Sequence, residues 1–125
     1  MTIAKLSMLD QDKADRFAEL ANELKMDCII EVHDYDELER AKSMCSSMIG
    51  INNRNLNNFK TNLDTTINLS QHLNNCDKLI LSESGFHSKS DISKIHATTG
   101  ISNYLVGEFL MKSDNLPNRI AELLN

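Results

Sequence analysis

Four short stretches of this chain end in residues able to do chemistry: "IIEVH", "IGINNR", "LILSESG" and "YLVGE". They contribute Glu31 and His33, then Asn52, Asn53 and Arg54, then Ser82 to Gly85, and finally Gly107 and Glu108. A carboxyl held within reach of a reacting atom can move a proton when burial or neighbours raise its pKa. An amide can orient a hydroxyl, and a guanidinium can hold a carboxylate by two parallel hydrogen bonds. Glycines allow close backbone approach, and free N–H groups suit an oxyanion. Glu108 suits such a site only through its backbone N–H, since its carboxylate would repel an anion; Glu83 carries the same difficulty.

Each group also has a plainer reading. Glu31 is equally a surface or ion-paired glutamate, and Arg54 a structural partner for a neighbouring acid. Glu83 fits an interior position or a pairing with Arg54 or a lysine. Asn53 points away from Asn52 and Arg54 on an extended strand and reads as a turn or capping residue. Asn55, Asn57 and Asn58 read as loop, in keeping with the asparagine-rich character of the chain. Composition explains the tail of "MIGINNRNLNNF" but not its head, because four polar strand endings recur in register.

The elements that position these endings follow from hydrophobic rhythm. The four apolar runs, and a fifth in "TIAKLSML", alternate with amphipathic stretches, about 20 to 30 residues to the unit. In "DQDKADRFAELANELKM", Ala14, Phe17, Ala18, Ala21 and Leu24 recur at helical spacing and predict one buried face. Asp34 and Ser88 are placed to cap helices, Gly100 to close one, and Pro117 to sit in a first turn. No Asn-Gly or Asp-Gly hairpin signal joins two strands. Strict alternation predicts an α/β fold of parallel βα repeats, with the strands' carboxyl ends on one ligand-binding face. The single Pro and four Gly leave no room for a linker, so residues 1–125 are read as one domain.

Composition narrows the partners. A net charge of −5 with no Lys/Arg cluster argues against nucleic acid and anionic membranes. No apolar stretch approaches a membrane span. "MTIAKLSMLDQDK" has no signal-peptide centre, and Cys28, Cys45 and Cys76 read as buried free thiols, so a cytoplasmic place is expected. The four histidines have no metal-ligand spacing, "DYDELER" has no calcium-loop spacing, and no metal or cofactor is expected. Met8, Met26, Met44 and Met48 read as core fillers, and Phe17, Phe59, Phe86 and Phe109 as packing residues.

The set "IIEVHDYDELERA", "IGINNRNLNNF", "LILSESGF" and "YLVGEFLM", in that order and spacing, resembles the indole-3-glycerol phosphate synthase family. "LSMLDQDK" and "AELANELKMD" resemble its fourth strand and helix. The resemblance implies half of a TIM (β/α)8 barrel, from strand four to helix eight. It implies Glu31 as the proton-transferring carboxylate, Asn52 and Arg54 facing the substrate, and Ser84, Gly85, Gly107 and Glu108 holding its phosphate. The family's lysines and a further glutamate, on strands one and three, have no counterpart here. This implies a chain inactive by itself, completed by an amino-terminal half, or a non-catalytic half-barrel that forms a homodimer through its open edges and binds a phosphorylated ligand. Phosphoribosylanthranilate isomerase, another phosphate-binding barrel, lacks the match to GINNR and SESG.

Overall fold

A computed structural model describes residues 1–125. Five strands form one parallel sheet in sequence order. They are β1 (Thr2–Lys5), β2 (Cys28–Val32), β3 (Met48–Asn52), β4 (Leu79–Glu83) and β5 (Asn103–Leu105). Helices α1 (Gln11–Glu23), α2 (Tyr35–Ser43), α3 (Asp64–Ser70) and α4 (Lys89–Thr99) fill the crossovers. The short α5 (Glu108–Met111) and α6 (Leu116–Leu124) follow β5. No helix is long and apolar enough to cross a membrane.

The helix boundaries have local causes. Asp10 and Asp34 accept from the N–H groups of Lys13 and Glu37 at the starts of α1 and α2. Ser88 and Asp91 form a reciprocal capping box on α4, which Gly100 ends with a left-handed φ of 77°. Pro117 lies in the first turn of α6, where its missing N–H costs nothing.

Alternation along each strand sorts two faces. Ala4, Cys28, Ile30, Val32, Ile49 and Ile51 join the helices' apolar residues in the main core. Each fully buried isoleucine there contributes about 1.5–3 kcal/mol relative to exposure. The intervening residues form the concave face, and register sets them in rows. Lys5, Glu31, Gly50, Leu81 and Asn103 lie side by side, with Asn52, Glu83 and Leu105 one step nearer the carboxyl ends.

Several expected core positions are instead exposed. On α1 only the small residues Ala14, Ala18 and Ala21 reach the sheet, so the helix packs close. Phe17 and Leu24, with Leu20, form a separate exposed stripe, because no neighbouring helix of this chain lies on that flank. Met8 and Met26 are exposed while Met44 is buried, and Phe59 is exposed at a loop tip. Of the three thiols only Cys28 is buried; Cys45 is exposed and Cys76 intermediate.

Candidate active site

Glu31 and Glu83 stand at the carboxyl ends of β2 and β4 on the concave face, 3% and 2% exposed. Between them runs β3, where Gly50 makes the space: a Cβ there would overlap the Glu83 carboxyl and crowd Ile29 Cγ2 at 2.9 Å. Burial first, and then the negative charge of Glu31, push the Glu83 carboxyl up to about 8. Two facing buried carboxyls cannot both ionise cheaply, so at neutral pH Glu83 holds its proton beside Glu31.

The amide of Asn52 ties this pair to the next loop. Its Nδ2 donates to Glu31 Oε1 at 3.1 Å, and its Oδ1 accepts from the Arg54 N–H at 2.9 Å. His33 lies on the far side of Glu31, Nε2 at 3.5 Å from the same Oε1. Its pKa is raised, chiefly by the hydrogen bond to Glu37, against burial, which lowers it. A polar cavity of about 570 Å³ opens beside this cluster, lined among others by His33, Glu37, Asn52, Arg54 and Lys60.

Arg54 sits just past the end of β3, in a bridge to Thr61, and not on the strand itself. Its Nη1 donates to Phe59 O at 2.7 Å, and its Nη2 pairs with the Glu108 carboxylate. Glu108 also meets Lys112 at 2.6 Å. Lys112 first, and Arg54 next, hold its carboxyl below the usual range. The structural pairing open to Arg54 in the sequence is thus realised, with the acid that begins α5.

Arg54 also borders a second cavity, of about 430 Å³, with Ser84, Gly85, Phe86, Gly107 and Glu108 on its walls. Ser84 and Gly85 both take positive φ, 68° and 84°, a turn that only Gly85 adopts without steric cost. The Ser84 N–H is already given to Leu105 O at 3.4 Å, whereas those of Gly85 and Gly107 have no partner within the chain. Phe86, 2% exposed, anchors this turn in a second apolar cluster with Ile95 and Ile101. Its ring meets Tyr104 edge to face.

Asn53, expected at a turn, is fully engaged beneath the loop. Its Nδ2 donates to Ser82 Oγ (3.0 Å) and Ser84 O (3.1 Å). Its Oδ1 accepts from the N–H and Oγ1 of Thr66, capping α3 from outside. The structure therefore gathers Glu31, Asn52, Arg54, Ser84, Gly85, Gly107 and Glu108 at the carboxyl ends of the strands. Asn52 lines the first cavity, Ser84, Gly85, Gly107 and Glu108 the second, and Arg54 both, while Glu31 lies buried behind Asn52 and lines neither. Sequence reasoning gave no role to His33 or to the protonation of Glu83. The four-residue spacing of His33 and Glu37 was the available signal for the first.

Parallel strands in sequential order, helices on the outer face and polar groups gathered at the carboxyl ends define half of a (β/α)8 barrel. The chain belongs to the indole-3-glycerol phosphate synthase family, whose model, described as "Indole-3-glycerol phosphate synthase", matches residues 3–123. Proteins of that name from Legionella pneumophila (strain Paris) and Albidiferax ferrireducens are 42% and 38% identical to it over 119 and 117 residues. These alignments cover 95% and 94% of this chain but 45% and 44% of the relatives, so the chain spans about half their length. A solved structure, the Amycolatopsis orientalis BexX/CysO complex, is similar in fold alone, at 13% identity and a TM-score of 0.58, over 92% of this chain and 50% of that one.

Proposed function

We propose that this chain supplies the carboxyl-terminal half of an indole-3-glycerol phosphate synthase site, acting in tryptophan biosynthesis in the cytoplasm. Glu31 transfers the proton during ring closure on a phosphorylated, carboxyphenylamino-substituted deoxyribulose, a reaction that releases carbon dioxide and water. Asn52 and Arg54 orient the substrate. The cavity walled by Ser84, Gly85, Gly107 and Glu108 takes the phosphate, through backbone N–H groups and not through the Glu108 carboxylate. The observation that carries this reading is the family match over residues 3–123, together with a buried Glu31 held by Asn52 on the rim that also bears the glycine turns.

The family's lysines have no counterpart in residues 1–125 and come, on this reading, from an amino-terminal half. The surfaces such a half would cover are open. β1 and β5 are the sheet's edges, and exposed apolar stripes run along α1 (Phe17, Leu20, Leu24) and α6 (Leu116, Ile120, Leu124). The same surfaces support a second reading, a homodimer that binds a phosphorylated ligand without catalysis. Turnover by this chain alone, and then mixed with a separate amino-terminal half, decides between them. The first reading predicts no turnover alone, turnover on mixing, and its loss in Glu31→Gln; ring closure by the lone chain would refute the need for the absent lysines.

A further inference from the structure

His33 stands between two carboxyls with different duties. On one side Glu37 Oε2 accepts from the His33 backbone N–H at 2.7 Å and meets Nδ1 of the ring at 3.1 Å. Glu37 is itself fixed, since its own N–H goes to the Asp34 cap at 2.8 Å. A carboxylate gripping both the backbone and the ring leaves the imidazole one orientation and places a proton on Nδ1. On the other side Nε2 faces Glu31 Oε1 at 3.5 Å, and that nitrogen is buried without a hydrogen-bond partner.

We propose that His33 is a positioning residue for Glu31: clamped by Glu37, it faces Glu31 Oε1 from one side while Asn52 donates to the same oxygen from another, and together they fix the plane of the carboxyl. This rests on the reading of Glu31 as the proton-transferring group. A loop tie between β2 and α2 would need only the contacts to Glu37. The approach of Nε2 to Glu31 adds nothing to such a tie, but it does fix a carboxyl plane. An imidazolium proton on Nε2 points at Glu31 Oε1, 3.5 Å away. The charged groups facing this proton are Glu31 and Lys5 from the neighbouring strands β2 and β1, Glu37 from α2, and Glu83 from β4. The three carboxyls all favour the imidazolium, with Glu37 the strongest, and burial opposes it.

The test is NMR on the 125-residue chain with labelled His and Glu side chains. The His33 midpoint should lie above the ordinary 6.5, and fall in Glu37→Gln and again, separately, in Glu31→Gln. At fixed pH the carboxyl carbon of Glu31 should move in His33→Ala and return in His33→Gln, whose amide N–H reaches the place of Nε2. A His33 midpoint indifferent to Glu31→Gln, or a Glu31 signal indifferent to His33→Ala, overturns the proposal and leaves only the loop tie. Should His33→Ala not fold, the His33 titration in Glu31→Gln decides by itself. None of these readings needs substrate, so a failure of catalysis and a failure of this inference are separately visible.

Discussion

Replacing Glu83 by Gln keeps the size and neutrality of the protonated side chain and removes its titration. Glu83 is 2% exposed, and its pKa rises from 4.5 to about 8 on folding. A folded-state pKa above the unfolded value means that the folded chain binds the proton more tightly. The stability this gives is whole below pH 4.5 and is lost as pH rises towards about 8. At about 1.4 kcal/mol per pH unit, stability falls by about 2–3 kcal/mol between pH 5.5 and 7.5. With a urea slope of about 2 kcal/mol/M, the wild-type unfolding midpoint drops by about 1–1.5 M over that range. His33 adds a loss of the same sign above pH 6.5, because its folded pKa is also raised. Glu83 is itself the smallest of the charges that raise the His33 pKa, so the difference between the two slopes reports Glu83 together with its small effect on His33. Urea unfolding followed by circular dichroism at the two pH values measures it. Equal pH dependence in the two proteins would refute the buried acid beside Glu31.

Gly50→Ala should push the Glu83 carboxyl out of its place and cost about 1–3 kcal/mol; thermal melting reads the cost, and a flatter stability–pH curve reads the displacement. Asn53→Ala strips the buried Ser82 and Thr66 groups of their partner and should cost about 2–4 kcal/mol in urea unfolding. Gly85→Ala, at a φ of 84° and with its new Cβ 3.1 Å from Thr61 Cβ, should cost about 1–2 kcal/mol in stability and abolish the amide shifts produced by inorganic phosphate in the wild-type chain.

Strand direction was legible in the sequence because helical and extended periodicities alternate without a hairpin signal, whereas the sequential strand order was implied only by the family resemblance. The caps at Asp34 and Ser88 were legible for the same kind of reason, since their side chains act within one turn of their own residue. Burial was less legible where it depends on a neighbour. Phe17 and Leu24 carry a helix's apolar spacing, yet that spacing holds whether or not another helix covers the flank. The rim was legible as a set of strand endings, but its couplings were not. Glu83 is perturbed by Glu31 across Gly50, 52 residues away in sequence, and Arg54 meets Glu108 across 54. Asn53 was legible as a capping residue, but not which helix it caps or its hold on Ser82, because its partners Thr66 and Ser82 lie in α3 and β4.

Titrating the ¹⁵N-labelled chain with the family's carboxyphenylamino deoxyribulose phosphate would probe both cavities in one experiment. Amide shifts grouped at Ser84–Phe86, Gly107–Phe109 and Asn52–Arg54 are the predicted result. Shifts confined to the opposite end of the strands, around Asp27 and Ser47, or none at saturating ligand, would contradict a single substrate site at the carboxyl rim.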